Sequence, residues 1–293
     1  MWWPLTGMRD RQGGPLPGGV CEPTIDTRGF RFETLAADIQ ELNLRAIERG
    51  DLDISAISAG AYAGMSGVYR ITRCGASIGG AYGPKLVVSA SSRIDSLDAA
   101  LGACDSGGGV IAIPGRHTTA YLALRVLAER AFATREMPFH AIPGAVIRGE
   151  VAAGLLIHEA QLDPEALGLR TILELGPAWM AWAGGPLPLG LNVMRRDLDA
   201  RFGVGTSVTV ARLLRESVRY AIDHCELTRA FLLARSDERP EWKEPGLLER
   251  YLSMYVNEQT VDMGEEGVRS LRTLFARGAA AGLCVDPGEI DAI

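Results

Sequence analysis

The stretch V-I-A-I-P-G-R-H-T-T-A, residues 110–120, contains the pattern that decides the fold class. Its first four residues are apolar and mostly β-branched, which predicts a short buried strand. Pro114 and Gly115 then predict a turn, and the residues from Ala120 to Ala133 have helix-forming character. Thr118 or Thr119 stands where a helix N-cap is expected. A strand that leads through a tight turn into a helix is typical of α/β proteins.

Strand and helix patterns alternate along the rest of the chain. We predict strands at residues 30–36, 52–54, 86–88, 110–113, 155–157, 171–175 and 191–194. Helices are predicted at residues 38–50, 120–133, 211–224, 246–256 and 265–281. Residues 7–30 are rich in glycine and proline and are predicted to form a surface loop. This alternation predicts an α/β protein with a parallel-type sheet.

Composition excludes several classes of protein. The chain has 293 residues, of which 47% are hydrophobic and 23% charged, so it can bury a full core. Its net charge is −6, and no cluster of lysine and arginine is long enough to follow a phosphate backbone, so a nucleic-acid partner is not expected. No apolar run reaches the ~18 residues of a membrane span, and no signal-peptide pattern is present. Five scattered cysteines without a C-x-x-C pair indicate reduced thiols in the cytoplasm.

Two positions could support chemistry at the ends of predicted strands. His158 ends the strand at 155–157, at the sheet edge where open α/β proteins bind ligands. It could act as a general base, or it could be a structural histidine bonded to a backbone carbonyl. The residues before Ala120 could bind an anion at a helix N-terminus, or Thr118 and Thr119 could merely cap that helix. With four histidines in the chain, a multi-histidine metal site is not expected.

Four motifs in order resemble one family, the 1,4-dihydroxy-6-naphthoate synthases, which are lyases of the futalosine route to menaquinone. The resemblance covers residues 32–284 and is carried by I-P-G-R-H-T-T-A at 113–120, I-H-E at 157–159, P-L-P-L-G at 186–190 with R-R-D-L at 195–198, and Y-V-N-E at 255–258 with G-E-E-G at 264–267.

The resemblance implies a two-lobed fold similar to type II periplasmic binding proteins, with the ligand in the cleft. Lobe one would comprise residues 1–91 and 192–293, and lobe two residues 92–191. The implied reaction cleaves the small-molecule substrate cyclic dehypoxanthine futalosine without a metal or other cofactor. His158 is implied as the general base. The implied substrate contacts are Ala56, Ile57, Ser58, Thr119 and Ala120.

Departures from the family pattern leave alternatives open. Family members usually have lysine where Ala56 stands, so a cationic contact is expected to be lost. The family's S-P-C-P-N-D-T stretch, on a first strand just before the segment that Trp2 begins, is absent; we expect a start codon placed too late. The alternatives are the related chorismate dehydratase, which lacks the I-H-E strand end, and a non-catalytic solute-binding protein of the same fold.

Overall fold

The strands of the protein form two separate sheets. The structure is a computed structural model that describes residues 2–10, 13–16, 18–79, 82–235 and 246–293. Sheet one contains β1 (Ile54–Ser58), β2 (Tyr69–Ile71), β3 (Ser77–Gly79) and β9 (Leu187–Arg195). Sheet two contains β4 (Lys85–Ser89), β5 (Ile111–Ile113), β6 (Thr134–Glu136), β7 (Ala153–Leu156) and β8 (Leu169–Glu174), in the order β6-β5-β7-β4-β8.

Helices cover the sheets and form most of the last hundred residues, as predicted. Their bounds are α1 Trp3–Thr6, α2 Ile39–Glu48, α3 Leu97–Asp105, α4 Thr119–Ala128, α5 Ile142–Ile147, α6 Leu175–Ala183, α7 Leu198–Phe202, α8 Thr206–Asp223, α9 Cys225–Ala234, α10 Leu247–Tyr255, α11 Glu258–Val261 and α12 Gly264–Ala280. The Asp38 carboxylate caps α2 by accepting a hydrogen bond from the Gln40 amide at 2.8 Å. No helix in the described ranges is long and apolar enough to cross a membrane.

The predicted parallel-type sheet is wrong for most strand pairs. Among the described residues, β5 pairs in parallel with β6 and with β7, whereas β4 is antiparallel to both of its neighbours. In sheet one, β9 is antiparallel to β1, β2 and β3. Alternation of strands and helices does not determine strand direction. Two strands are parallel only where the connection between them crosses back to the end of the sheet at which the first strand began. The connections through α4 and α5 do this.

The strand predicted at residues 30–36 does not form. This segment is irregular and mostly exposed, and no strand of the described chain pairs with it. Aromatic and β-branched residues in a short segment favour a strand, but the strand forms only where a neighbouring strand pairs with it. Of residues 7–30, those that the structure describes form turns with one isolated bridge, between Arg9 and Pro15, in agreement with the predicted loop.

The main hydrophobic core contains residues of both sheets. Ile57 and Ile78 of sheet one belong to the same buried cluster as Ile113 and Leu155 of sheet two. A second cluster lies where α8 packs on sheet one, and it includes Leu5. Each fully buried aliphatic side chain of this kind contributes about 2 kcal/mol. The continuous apolar contact fixes the place where the two sheets meet.

The predicted division of the chain into lobes of residues 1–91 with 192–293, and of residues 92–191, stays a prediction. The sheets add one detail to it. β4 (Lys85–Ser89) lies in sheet two, beside β7 and β8, so the chain enters sheet two before residue 91. It returns to sheet one through β9.

Candidate active site

Two turns leave sheet two at the same edge. β5 and β7 are parallel neighbours, with Ile111 opposite Ala153 and Ala112 opposite Gly154. The turn after β5, residues 114–119, is here called the threonine turn, and the turn after β7, residues 158–162, the His158 turn. Since both follow the carboxyl ends of adjacent parallel strands, they emerge side by side. The predicted placement of His158 at a carboxyl sheet edge is therefore confirmed.

In the threonine turn, both threonine hydroxyls have partners within the protein. Thr118 Oγ1 donates to the Gly115 carbonyl at 2.7 Å and accepts from the Tyr121 amide at 3.2 Å, which makes it the N-cap of α4. Thr119 Oγ1 donates to the Leu189 carbonyl at 2.8 Å and accepts from the Gly60 amide at 2.9 Å. The capping interpretation is thus correct for Thr118, and Thr119 ties α4 to sheet one.

The first amides of α4 remain available as donors. No hydrogen-bond acceptor for the amides of Thr119 and Ala120 is found in the part of the chain that the structure describes. Both residues are buried. Unpaired amides at a helix N-terminus are the usual place for negative charge to bind. The arrangement leaves two neighbouring N–H donors at the start of α4 without an acceptor in the described residues.

The segment after β1 packs directly on the start of α4. A Cβ atom at Gly60 would lie 3.3 Å from Thr119 Cα and 3.1 Å from the Leu122 side chain, so glycine allows this close approach without displacing either neighbour. The structure thereby brings together the two predicted substrate-contact segments, Ala56, Ile57, Ser58 and Thr119, Ala120. The side chains of Ile57 and Ser58 are buried, whereas Ala56 is partly exposed. Their contacts with substrate stay a prediction.

Asn43 connects these segments, and the sequence analysis did not identify it. Its Oδ1 accepts from the Ser58 amide at 2.8 Å, and its Nδ2 donates to Ser58 Oγ at 3.0 Å and to the His117 carbonyl at 3.3 Å. Asn43 is fully buried on the inner face of α2. The available signal in the sequence was its spacing. Asn43 precedes the apolar residues Ala46 and Ile47 by three and four positions, so this polar residue lies on the apolar face of the helix.

The backbone of His158 is in the left-handed region, with φ +56°. This conformation costs roughly 1–2 kcal/mol for a residue other than glycine. The Phe139 ring, from the segment after β6, meets the imidazole edge-on with ring centroids 4.9 Å apart. The neighbouring Glu159 and Gln161 are buried. Strain of this kind concentrates at functional sites, because the surrounding contacts must fix one geometry.

Helix α10 contacts the His158 turn from the other side. Gln161 Nε2 donates to the Tyr255 hydroxyl, and an Arg250 Nη donates to the Leu162 carbonyl at 2.9 Å. The Tyr82 ring packs edge-on against Tyr255 at 5.3 Å. Burial, with a smaller effect of the neighbouring tyrosines, raises the pKa of Tyr255 well above its usual value, so its hydroxyl stays protonated. Tyr255 belongs to a motif noted in the sequence, but no role was predicted for it.

Residues 75–79, G-A-S-I-G, have the spacing of a serine nucleophile elbow. The structure excludes that role for this serine. Ser77 lies in β3, paired with Gly190 of β9, rather than at a sharp turn between a strand and a helix. Its hydroxyl is therefore not exposed at the top of a sheet as that chemistry requires.

A cavity of about 270 Å³ adjoins the threonine turn, and its lining includes Gly60, His117 and Tyr121. His158, Thr119 and Ala120 line neither this cavity nor a second one of about 560 Å³ beside β1. No group of three or more metal-ligating side chains is found in residues 2–10, 13–16, 18–79, 82–235 and 246–293. The groups that could take part in chemistry at this sheet edge are the His158 imidazole and the Thr119 and Ala120 amides, which follow adjacent strands.

Comparison with known proteins identifies the family. The model of the menaquinone biosynthesis family matches residues 3–280. The chain belongs to that family. A relative from Thermus thermophilus, named 1,4-dihydroxy-6-naphthoate synthase, is 35% identical over 252 residues, which cover 86% of this chain and 85% of the relative. The resemblance found in the sequence is confirmed.

Solved structures related to this menaquinone biosynthesis family member confirm its fold class. A protein from Archaeoglobus fulgidus is 36% identical, with a TM-score of 0.76 over 89% of this chain and 90% of the other. The alkanesulfonate-binding protein SsuA from Xanthomonas axonopodis pv. citri is 12% identical, with a TM-score of 0.58 over 85% and 83% of the two chains. The second likeness shows the two-lobed periplasmic-binding-protein fold and nothing about the ligand.

Proposed function

We propose that the protein is a 1,4-dihydroxy-6-naphthoate synthase, a carbon–carbon lyase that acts on cyclic dehypoxanthine futalosine in the cytoplasm. Support comes from the Thermus thermophilus relative of that name, which matches 86% of the chain. The observation that carries the proposal is the position of His158. It stands in a strained turn on one strand end, and the unpaired amides of Thr119 and Ala120 begin a helix on the adjacent one.

His158 is the general base in this proposal. Breaking a carbon–carbon bond next to a carbonyl requires removal of a proton from the substrate, and an imidazole does this near neutral pH. The electrons of the broken bond move onto the carbonyl oxygen, where negative charge develops. The Phe139 ring and the buried His158 turn fix the direction of the imidazole. This gives the base one approach to the substrate.

The Thr119 and Ala120 amides are the donors for the developing negative charge. Helix N-terminal amides in a cleft that excludes water stabilise an oxyanion more strongly than water does. Removal of one such donor typically costs ~10²–10³ in rate. Because Ala56 stands where the family usually has lysine, no cation at that position assists the amides.

The test is incubation of the purified protein with cyclic dehypoxanthine futalosine, followed by naphthoate absorbance. Formation of 1,4-dihydroxy-6-naphthoate is the expected result. A parallel sample with chorismate tests the dehydratase alternative, and consumption of chorismate instead would replace the proposal. Tight binding of the futalosine compound without any turnover would indicate a solute-binding protein and would also overturn it.

A further inference from the structure

The cavity beside the threonine turn has walls from three separate parts of the chain. These are residues 47–64, from the end of α2 to the segment after β1, residues 116–125, from the threonine turn into α4, and residues 283–285, after α12. Its volume of about 270 Å³ is just below the ~300–1,000 Å³ that is typical of sites for drug-sized ligands. The cavity therefore has room for a small molecule.

The charged and basic side chains of the cavity are of one kind. Arg116, His117 and Arg125 line it, and none of the described residues in its lining is acidic. Arg116 pairs with Glu136 at 2.8 Å, which largely balances its charge. For Arg125 no carboxylate partner is found in the part of the chain that the structure describes. Arg125 thus contributes an unbalanced positive charge to the cavity.

Aromatic contacts hold the Arg125 guanidinium in place without neutralising it. Nη1 donates to the Tyr121 hydroxyl at 2.8 Å, and the central carbon lies 5.7 Å from the centre of the Tyr121 ring and 5.6 Å from that of Phe132. Nε is buried and has no acceptor among the described residues. Because an unpaired buried donor is unfavourable, an acceptor that enters the cavity would be stabilised.

His117 offers a second donor to the same space. Its carbonyl accepts from Asn43 Nδ2 at 3.3 Å, which anchors the backbone. No hydrogen bond of the imidazole is found within the described ranges, and the residue is partly exposed. A ligand in the cavity can therefore meet both a guanidinium and an imidazole.

The remaining walls are mostly apolar. Burial, with a smaller effect of nearby Asp286, raises the pKa of the Cys284 thiol, so this wall residue stays uncharged near neutral pH. A phosphate would place charged oxygens against apolar surface, and a neutral apolar molecule would leave Arg125 unpaired. An anion with one charged end and an apolar body suits both parts of the lining. The aliphatic wall residues are Ile47, Ala61, Leu122, Leu283 and Val285.

We infer that this cavity is a binding site for a small carboxylate with an apolar body, such as an aromatic acid. Its carboxylate pairs with Arg125 and accepts from His117, and its body lies against the aliphatic walls. A planar carboxylate matches the planar guanidinium better than other anions of this size do. His158, Thr119 and Ala120 do not line the cavity, so the site is separate from the groups to which the proposed function assigns chemistry.

The experiment uses the full chain and 2-naphthoate as the probe. The matched control is 2-naphthamide, which has nearly the same shape and no charge. Titration calorimetry measures both affinities. We expect 2-naphthoate to bind and 2-naphthamide to bind at least ~10-fold more weakly, because a charge-assisted contact is lost.

Cysteine alkylation locates the bound probe. Cys284 lines the cavity, whereas Cys225 is exposed on α9. Saturating 2-naphthoate should slow the reaction of Cys284 with iodoacetamide and leave that of Cys225 unchanged, as followed by mass spectrometry.

Three variants test the lining itself. Arg125→Gln removes the unbalanced charge and should weaken 2-naphthoate at least ~10-fold. Arg130→Gln is the matched control, because Arg130 pairs with Asp105 at 2.5 Å and does not line the cavity. Ala63→Leu fills the cavity without changing its charge and should abolish binding. If Arg125→Gln does not fold, Ala63→Leu and the comparison of the two probes still decide the matter.

Several results would overturn the inference. One is no binding of 2-naphthoate, or equal binding of 2-naphthoate and 2-naphthamide. Another is unchanged affinity in Arg125→Gln or in Ala63→Leu. A third is displacement of the probe by cyclic dehypoxanthine futalosine with Cys284 alkylation unaffected, which would place the probe in the proposed active site. None of these readouts measures turnover, so their failure is distinguishable from failure of the proposed function.

Discussion

The threonine turn and the His158 turn leave sheet two side by side, yet their backbones differ. In the threonine turn, both hydroxyls satisfy peptide groups: Thr118 caps its own helix, and Thr119 joins that helix to Gly60 and Leu189. In the His158 turn, the first residue is in a strained conformation and is fixed by packing against Phe139. α10 supplies two further contacts to this turn, from outside sheet two.

Under the proposed function, this difference assigns a supporting role to the first turn and a chemical role to the second. The hydroxyl of Thr119 is committed to Gly60 and Leu189, so its contribution to a ligand would come through the backbone amide. His158 instead has a backbone in the left-handed region, at an energetic cost that is typical of functional residues. The comparison predicts that changes in the first turn reduce stability and that changes in the second reduce activity.

The largest expected effect is the loss of turnover in His158→Ala. A general base contributes roughly 10²–10⁴ in rate, so we expect kcat on cyclic dehypoxanthine futalosine to fall by about 10³. Substrate affinity should change by less than about threefold, because the amides that bind negative charge remain. Stopped-flow absorbance and calorimetry measure the two quantities. His224→Ala, which alters a histidine stacked on Tyr220, is the control, and substantial activity in His158→Ala would end the assignment of the base.

The second effect concerns stability and should come from the other turn. Thr119→Val keeps the shape of the side chain but leaves the Gly60 amide and the Leu189 carbonyl unpaired. We expect a loss of about 2 kcal/mol in the free energy of unfolding. Urea denaturation gives this value, and Thr119→Ser, which retains the hydroxyl, should recover most of it. An unchanged unfolding midpoint in Thr119→Val would show that the two hydrogen bonds contribute nothing net.

A smaller effect on the rate is expected from α10. Tyr255→Phe removes the acceptor of Gln161 and frees one end of the His158 turn. We expect kcat to fall roughly tenfold with KM nearly constant, since positioning of the base matters only in the transition state. Tyr82→Phe is the matched control, because its hydroxyl donates to the Ile78 carbonyl at 3.2 Å and not to the His158 turn. Equal rates for both variants would remove the positioning role of Tyr255.

The smallest effect tests the strain directly. His158→Gly and His158→Ala both lack the imidazole, but glycine adopts φ +56° without a steric cost. We expect the glycine variant to be more stable than the alanine variant by about 1 kcal/mol. Paired thermal or urea unfolding curves measure this difference. A glycine variant no more stable than the alanine variant would mean that the backbone at this position is not strained.

The features that the sequence predicted correctly are those that depend on interactions between residues close together in the chain. The strand and turn of residues 110–118, the start of the following helix and the strand end before His158 were predicted correctly, because their signals are local. The end of that helix was not: it was predicted at Ala133, but α4 ends at Ala128, where Glu129 takes a left-handed conformation. Strand direction in both sheets depends on how distant segments meet, and the alternating pattern does not contain it. The strand predicted at 30–36 failed for the same reason, since no neighbouring strand pairs with it.

The missed parts of the site also depend on long-range contacts. Asn43 connects to the His117 carbonyl 74 residues away, and Gln161 connects to Tyr255 across 94 residues. Neither contact has a local sequence pattern. Asn43 stands out as a polar residue on an apolar helix face, and Tyr255 as an aromatic residue within a motif. Their partners could not be named without the fold.

The position of β9 also determines the order in which the chain can fold during synthesis. Sheet two is built from one continuous part of the chain, from Lys85 to Glu174, so it can form as soon as that part has left the ribosome. β1, β2 and β3 are synthesised earlier, but their shared partner Leu187–Arg195 emerges only after sheet two is complete. Long-range pairing of this kind is slow to form and exposes strand edges in the meantime. β1, β2 and β3 are thus made before sheet two but paired only after it, and their edges stay exposed to aggregation until β9 has been synthesised.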